Sequence, residues 1–415
     1  MVIVRRHVQD RVLEALEDTR VVVVQGARQV GKTTLVRAVL GERRGRLVTL
    51  DDPTTLRGAR ADPVGFLSQE ADGLLAIDEV QRAPELILAL KLLVDRDPRP
   101  GRFLLTGSAD LVRLPAAEDS LAGRAERIEL LGFSQGEMVG HQERFIDRLF
   151  AKDRFLSHTS DLTRHDLLQR AVVGSYPEAL ARRSPRRRNA WLDNYLDLIV
   201  ERDAPEVVDS RRLSDLPLVL RLLAARNSEE LNTTDLSSQS GIPATSLARL
   251  LGLLETLYLV QRIPAWSTNL SKRVVSRPKA AILDSGLAAR LINVTAEAVA
   301  PGMSGNLAGH LLEGFVAGEL RRQLGWSRER VRISHYRDRT GAEVDFILET
   351  DDGRVAGIEV KASATVTASD TRWLGGLAER LGPRFVGGLV LYSGGVPVPF
   401  GERVTAVPLD VLWTA

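Results

Sequence analysis

The chain has 415 residues, of which 44% are hydrophobic and 27% are charged, values typical of a globular protein with more than one domain. A net charge of +2 is too small to indicate nucleic-acid binding by itself, and the absence of cysteine excludes disulfides, thiolate zinc sites and cysteine nucleophiles. No apolar run reaches the roughly 20 residues that span a bilayer, and the first residues lack a secretion signal. We therefore expect a cytoplasmic protein with no membrane partner.

The most informative stretch follows a first helix expected at Val8–Glu17. Residues 21–34 read V-V-V-V-Q-G-A-R-Q-V-G-K-T-T, in which the β-branched run is typical of a buried strand. A loop bounded by Gly26 and Gly31 comes next, and a helical pattern begins directly after it. Strand, G-x-x-x-x-G-K-T and helix in this order are the context that a P-loop requires, so the sequence predicts a nucleotide site.

The residue types of this loop suit a triphosphate. The glycines allow successive backbone N–H groups to point at one place, and the helix N-terminus adds a positive dipole there. We expect Lys32 to contact the β- and γ-phosphates of ATP and the Thr33 hydroxyl to bind Mg²⁺. The predicted ATP-binding residues are the nine consecutive residues Gly26, Ala27, Arg28, Gln29, Val30, Gly31, Lys32, Thr33 and Thr34.

Two later strands of the same domain end in polar residues. The apolar run 73–77 ends in Asp78-Glu79, which predicts a Walker B segment with Asp78 as a Mg²⁺ ligand and Glu79 orienting or deprotonating the attacking water. The strand at 102–106 leads to Ser108, which we interpret as a contact to the γ-phosphate or to the water. A strand-end turn is the alternative for Ser108.

Arginine near residue 124 is the candidate for neutralising charge on the γ-phosphate. Arg124 and Arg127 both lie in the stretch 121–130, and we favour Arg124 because Gly123 lets the backbone come close. A neighbouring subunit would supply this arginine, which implies a homo-oligomer. A surface ion pair is the alternative, since the chain is rich in arginine.

The middle of the chain is expected to be helical. Residues 145–170 are polar and mixed, and we interpret them as a linker leading to helices. Residues 182–188 form the densest basic run, either a solvated loop or a contact to a nucleic-acid backbone. Residues 230–265 have the pattern of a winged helix-turn-helix, a motif that binds either DNA or protein.

A glycine-rich junction at 301–306 is expected to separate this region from a C-terminal domain. A helix at 310–320 carries Glu313, and two strands around the turn 351–353 form a predicted hairpin. This hairpin delivers Asp345, Glu359 and Lys361 to one area, because residues two apart on a strand share a face. A surface E-x-K pair on an ordinary hairpin is the alternative interpretation.

The chain resembles a widespread group of prokaryotic AAA-type P-loop ATPases that carry a C-terminal domain of unknown function. The motifs that carry the resemblance span nearly the whole chain: G-A-R-Q-V-G-K-T-T-L, L-A-I-D-E-V-Q, L-L-T-G-S, L-A-G-R, G-S-Y-P-E-A, E-R-D, L-D-S-G-L, E-V-D-F and I-E-V-K. The C-terminal motifs resemble PD-(D/E)XK nucleases, which have a restriction-endonuclease-like core. That resemblance implies Asp345 and Glu359 as metal ligands, Glu313 as an accessory ligand and Lys361 as the catalytic cation.

We therefore expect an α/β protein in three parts. These are an AAA-type parallel-sheet domain at 1–140, a helical and winged-helix region at 141–300, and a nuclease-like α/β domain at 301–415. The leading hypothesis is a Mg²⁺-dependent ATPase whose cycle repositions a domain acting on DNA or RNA, with a second divalent metal at Asp345 and Glu359. The alternative is an ATP-gated switch that binds a protein partner and uses the nuclease-like core as an inactive scaffold.

Overall fold

The computed structural model describes residues 4–70, 72–108, 121–207, 212–269, 271, 273, 276–299, 306–338 and 340–415. The chain divides into two compact units. The first contains the described residues up to Phe133 with short pieces near 206 and 257, and the second contains the others. The predicted domain boundary at 301 lies outside the described residues, and the three-part division stays a prediction.

The first unit is built on a five-stranded parallel sheet. Its strands are β1 (Val21–Gln25), β2 (Gly45–Thr49), β3 (Leu74–Asp78), β4 (Phe103–Gly107) and β5 (Ala125–Glu129). They lie in the order β2-β3-β4-β1-β5. Every residue of β1, β3 and β4 is buried, which explains why these segments are apolar runs rather than alternating patterns. The ends of β1 and β3 flank β4, so the two predicted Walker segments meet at one edge.

In the described part of this unit, five α-helices accompany the sheet: α1 (Val8–Asp18), α2 (Lys32–Glu42), α3 (Pro53–Ala61), α4 (Pro63–Leu67) and α5 (Glu85–Arg96). The short helices α3 and α4 each begin with proline after an aspartate whose side chain accepts a backbone N–H of the first turn. Leu86 and Leu90 of α5 are fully buried with Ile77 and Leu105 of the sheet. The core of the unit therefore lies between the sheet and its helices.

The second unit is rich in helices. Among the described residues they are, in chain order, α6 (Gln135–Val139), α7 (Phe145–Phe150), α8 (Arg164–Val173), α9 (Pro177–Leu180), α10 (Pro185–Leu198), α11 (Ala204–Val207), α12 (Leu216–Ala225), α13 (Thr233–Ser240), α14 (Ala244–Thr256), α15 (Ser285–Leu291), α16 (Leu307–Gln323), α17 (Ala368–Leu381) and α18 (Val411–Thr414). The last residues of α11 and of α14 are grouped with the first unit. A π-helical turn at Ile199–Asp203 follows α10. The interpretation of 145–170 as a linker is wrong, because Phe145, Ile146, Leu149 and Phe150 are buried core residues of α7.

A small three-stranded antiparallel sheet accompanies α13 and α14. Its strands are β6 (Glu229–Glu230), β7 (Val260–Ile263) and β8 (Lys279–Ile282), in the order β6-β8-β7. Gly241 ends α13 with a φ of 69°, a left-handed conformation that allows the tight turn between the two helices. The helices and the turn match the elements predicted at 230–265, and the winged-helix class stays a prediction.

The second unit also contains a six-stranded mixed sheet. Its strands are β9 (Val331–Arg337), β10 (Glu343–Thr350), β11 (Val355–Lys361), β12 (Phe385–Tyr392), β13 (Val398–Pro399) and β14 (Val404–Pro408), in the order β13-β14-β12-β11-β10-β9. The hairpin predicted around 351–353 is present, with β10 and β11 antiparallel and Phe346 opposite Ile358. Among the residues that the structure describes, no helix is long and apolar enough to cross a membrane.

Candidate functional site

The loop that joins β1 to α2 is shaped by its two glycines. A Cβ added at Gly26 would lie 1.9 Å from the carbonyl oxygen of Leu130, so a larger residue requires the backbone to move. Gly31 has a φ of 97° directly before the first residue of α2, a left-handed conformation that favours glycine. The glycine spacing of the motif therefore follows from backbone geometry at both ends of the loop.

The Lys32 side chain lies against the same loop. It is only 5% exposed, and its ammonium donates hydrogen bonds to the carbonyl oxygens of Gly26 and Ala27, each at 3.0 Å. The other predicted ATP-binding residues differ in exposure: Ala27 and Val30 are buried, Arg28, Gly31 and Thr33 are half-buried, and Gln29 and Thr34 are exposed. The loop thus presents a buried cation together with several accessible residues.

Arg6 is a residue of this site that the sequence patterns did not indicate. Its guanidinium is buried and donates to the carbonyl oxygen of Val30 at 2.9 Å and to that of Leu131 at 2.7 Å. The guanidinium also lies 4.8 Å from the centre of the Phe133 ring. Arg6 therefore connects the segment before α1 to the P-loop and to the backbone that follows β5.

The predicted Mg²⁺ ligands meet at the end of β3. The Thr33 hydroxyl donates to Asp78 Oδ2 at 2.9 Å, and the Thr106 hydroxyl donates to the other oxygen of the same carboxylate. Asp78 is buried at the last position of its strand. A hydroxyl beside a carboxylate fits Mg²⁺, a hard cation that takes oxygen ligands.

Glu79 adopts an unusual backbone conformation, with a φ of 57° directly after β3. Residues held in this region are strained, and such strain is common at functional sites. Its N–H donates to the Thr106 hydroxyl at 3.1 Å, and its carboxylate accepts a hydrogen bond of 2.5 Å from Gln81 Nε2. The same nitrogen lies 3.1 Å from Ser108 Oγ, so Gln81 connects the two predicted catalytic positions. Gln81 was not singled out from the sequence, although it lies only two residues after Glu79.

Arg124 lies in an ion pair within the first unit. Its Nε and Nη2 atoms donate to the two carboxylate oxygens of Asp95 at 2.7 and 2.9 Å. This pair raises the pKa of Arg124 and lowers that of Asp95 through the hydrogen bonds between them. In the single chain Arg124 therefore forms the ion pair that was the alternative interpretation. Its contact with the nucleotide of a neighbouring subunit stays a prediction.

The four predicted residues of the C-terminal site line one open cleft of about 980 Å³. Asp345 lies on β10, Glu359 and Lys361 lie on the neighbouring strand β11, and Glu313 lies on α16. Lys361 Nζ is 3.7 Å from Glu359 Oε2. The hairpin and the helix therefore bring together residues that are far apart in the sequence.

A second lysine, which the sequence patterns did not indicate, lies among these carboxylates. Lys279 is the first residue of β8, and its side chain is only 2% exposed. Its Nζ atom is 2.8 Å from Glu313 Oε1, 2.9 Å from Glu343 Oε1 and 3.4 Å from Asp345 Oδ1. Within the described ranges, no group of three or more acidic or histidine side chains is placed to hold a metal ion. The Lys279 ammonium occupies the place where three of these carboxylates meet, and the metal roles of Glu313, Asp345 and Glu359 stay predictions.

Protonation in the cleft reflects this arrangement. Burial raises the pKa of Glu313 and of Glu359 well above the ordinary carboxyl value, and the Asp345 carboxylate raises both further. Burial alone would lower the pKa of Lys279, but Glu313, Asp345 and Glu343 together raise it above the ordinary value. The cluster therefore keeps the Lys279 ammonium charged, while Glu313 and Glu359 hold protons more tightly than they do in water.

Comparison with protein families divides the chain into three matched stretches. Residues 18–139 match the family described as an AAA domain. Residues 164–298 match a domain of unknown function (DUF8612), and residues 308–412 match another (DUF4143). The N-terminal parallel sheet thus belongs to an AAA-type, P-loop ATPase-like domain, and the C-terminal mixed sheet lies in a domain without an assigned function.

Two curated relatives match the whole chain. They are the uncharacterized protein Rv2008c of Mycobacterium tuberculosis and the uncharacterized protein Mb2031c of Mycobacterium bovis. Each is 31% identical over 417 residues, and the match covers all of this chain and 86% of the relative.

Solved structures with lower similarity are also found. The Walker-type ATPase PABY2304 of Pyrococcus abyssi is 17% identical over 70% of this chain and 96% of its own, with a TM-score of 0.41. AMPPCP-bound DnaA from Aquifex aeolicus is 14% identical over 60% of this chain and 86% of its own, with a TM-score of 0.28. Scores at this level do not establish a shared overall fold.

Proposed function

This chain belongs to the same protein family as Rv2008c of Mycobacterium tuberculosis, and we propose that it is a Mg²⁺-dependent ATPase whose nucleotide cycle acts on its C-terminal region. The relatives are described as uncharacterized, so they supply no substrate or partner. The observation that carries the proposal is the contact of 2.9 Å between Thr33 and Asp78 beside the loop that holds Lys32. The lack of cysteine suits a reducing compartment, so a cytoplasmic location is part of the proposal.

Each residue of the site has a role in this proposal. The backbone N–H groups of residues 26–31 and the Lys32 ammonium bind the phosphates, and Thr33 and Asp78 hold Mg²⁺. When bound, Mg²⁺ balances the negative charge of the β- and γ-phosphates. Glu79 orients the attacking water and accepts its proton, while Ser108 contacts the γ-phosphate or that water.

We further propose that the chain self-associates and that Arg124 reaches the nucleotide of a neighbouring subunit. A guanidinium in that position would neutralise charge that develops on the γ-phosphate. The mass of the protein in solution, measured with and without ATP, tests the first part. A monomer under both conditions would remove the reason to assign Arg124 this role.

Phosphate release by the purified full chain tests the ATPase assignment. Lys32→Ala should abolish nucleotide binding and hydrolysis, whereas Glu79→Gln should keep binding and lose hydrolysis. The matched controls are Lys91→Ala on α5 and Glu14→Gln on the exposed side of α1, which should both resemble the wild type. Undiminished hydrolysis in Lys32→Ala and Glu79→Gln would refute the assignment of these residues.

The nucleotide cycle has two candidate uses. One is metal-dependent cleavage of DNA or RNA by Asp345, Glu359 and Lys361, with a second divalent metal in the cleft. The other is an ATP-gated switch that binds a protein partner and uses the nuclease-like core as an inactive scaffold. The position of the Lys279 ammonium among three carboxylates favours the scaffold, because a metal would have to replace an internal cation.

A cleavage assay separates these uses. Wild type, Asp345→Ala and Lys361→Ala are incubated with single- and double-stranded DNA and RNA in Mg²⁺ or Mn²⁺, with and without ATP. The scaffold proposal expects no cleavage by any of the three proteins. Cleavage by the wild type that both substitutions abolish would establish the nuclease instead.

A DNA-binding role for α13 and α14 is a narrower proposal. Thr245 and Arg249 are exposed on α14 and Ser246 is half-buried, so this face is accessible to a major groove. Binding to duplex DNA should then fall steeply as salt increases, because phosphate contacts release counterions. Binding that is weak and independent of sequence at low salt would leave protein contact as the use of this face.

A further inference from the structure

The C-terminal cleft contains an unusual balance of charge. Eight carboxyl groups line it, and four of them, those of Glu313, Glu343, Asp345 and Glu359, lie within 3.7 Å of a lysine ammonium. The Lys279 ammonium lies among the first three, and the Lys361 ammonium lies beside the fourth at 3.7 Å. Arg337 adds a guanidinium 3.7 Å from Glu343. Each of these four acids is therefore paired with a cation of the chain itself.

The distances around Lys279 are those of ion pairs and hydrogen bonds. Lys279 Nζ donates a hydrogen bond to Glu313 Oε1 at 2.8 Å, a distance typical of charge-assisted N–H···O bonds, and it lies 2.9 Å from Glu343 Oε1 in an ion pair. Oxygen ligands surround a bound Mg²⁺ at about 2.1 Å and a bound Ca²⁺ at about 2.3–2.6 Å. The point towards which these carboxylate oxygens converge is therefore occupied by nitrogen.

Both carboxylate oxygens of Asp345 also have partners within the chain. Its Oδ1 atom faces Lys279 at 3.4 Å, and its Oδ2 atom accepts the backbone N–H of Val360 at 2.9 Å. A metal bound here would have to displace the lysine or break the contact between two strands. Because Lys279 begins β8 and is almost fully buried, its ammonium cannot move into solvent without local rearrangement.

We propose that the Lys279 ammonium takes the position of a divalent cation in this cluster, so that the native cleft binds no divalent cation and loss of the ammonium opens such a site. The inference rests on the proposed use of the C-terminal core as a scaffold. It concerns metal binding, however, and its test measures neither ATP turnover nor cleavage.

The experiment is a Mn²⁺ titration of the full chain without nucleotide. Binding is measured by calorimetry and by the electron paramagnetic resonance signal of free Mn²⁺. The proteins are wild type, Lys279→Met and Lys361→Met, and each of these combined with Asp345→Asn. Lys361→Met is the matched control, since it removes an ammonium from the same cleft but not from among the three carboxylates. Subtracting the Asp345→Asn curves isolates binding in the cleft from binding at the ATP site.

We expect no Asp345-dependent Mn²⁺ binding in the wild type or in Lys361→Met. Lys279→Met should gain one site, at least about tenfold tighter than any wild-type binding, and should lose it on Asp345→Asn. Asp345-dependent Mn²⁺ binding by the wild type would overturn the proposal, and this comparison does not require the Lys279 variant to fold. A folded Lys279→Met protein that gains no site would also overturn it.

Discussion

Acidification should destabilise the second unit through His335. The His335 side chain on β9 is fully buried, and its Nε2 atom lies 3.0 Å from the carbonyl oxygen of Arg277. Burial, and next the positive charge of Lys279, lowers the pKa of His335 from 6.5 to about 4. The ring is therefore neutral in the folded protein at a pH where the same ring in the unfolded chain is already protonated.

The sign and the size of the effect follow from this difference in pKa. As the pH falls, the unfolded chain takes up the proton first, so stability is fully present above pH 6.5 and is lost as the pH approaches 4. Each pH unit over which only the unfolded chain is protonated costs about 1.4 kcal/mol. Between pH 7.5 and pH 5 the loss in the free energy of unfolding is therefore about 2 kcal/mol.

Urea unfolding followed by tryptophan fluorescence measures this loss. All five tryptophans, Trp191, Trp266, Trp326, Trp373 and Trp413, belong to the second unit, so the signal reports that unit alone. His335→Gln should lose about 2 kcal/mol less than the wild type between pH 7.5 and pH 5, because glutamine does not titrate. His310→Gln, at a half-buried histidine of the same unit, is the control and should follow the wild type. An equal pH dependence in all three proteins would refute the reasoning.

Three further predictions concern the nucleotide site. Gln81→Ala should lower kcat several-fold with little change in KM, because the Glu79 carboxylate loses the amide that holds it; a change in KM alone would contradict this. Gly26→Ala should abolish ATP binding in an equilibrium titration, since the new Cβ would lie 1.9 Å from a carbonyl oxygen, and retained affinity would argue against so close an approach. Arg124→Ala should lower kcat at least about tenfold. Asp95→Asn breaks the same ion pair but keeps the guanidinium, so it should not lower kcat. Equal effects of the two substitutions would show that Arg124 acts only through its ion pair with Asp95.

Local patterns account for what the sequence predicted well. The P-loop was recognisable because its strand, its glycines and its helix are contiguous, and the geometry of Gly26 and Gly31 imposes the spacing. The hairpin of β10 and β11 was recognisable for the same reason, since its turn joins two adjacent apolar strands. The prediction of a linker at 145–170 was wrong because this stretch contains many polar residues, and only a few apolar side chains at helical spacing belong to the core.

Contacts between distant residues were beyond such patterns. Lys279 is 34 residues from Glu313 and 66 from Asp345 in the sequence, so only the folding of β8 beside α16 and β10 reveals their cluster. The scarcity of lysine was a usable signal, because Lys279 is one of only six lysines in an arginine-rich chain. Gln81 is close in sequence to Glu79, but its role depends on the end of β4, which lies 27 residues away.

The contacts of Arg6 bear on how the protein should be prepared. Two of its hydrogen bonds fasten the turn before Lys32 and the chain after β5 to the segment that precedes α1. Removing the residues before α1, or fusing a purification tag that displaces them, would break these hydrogen bonds. Turnover numbers measured on such a protein would describe a P-loop that has lost its hydrogen bonds to Arg6. Kinetic work should therefore retain the residues that precede α1.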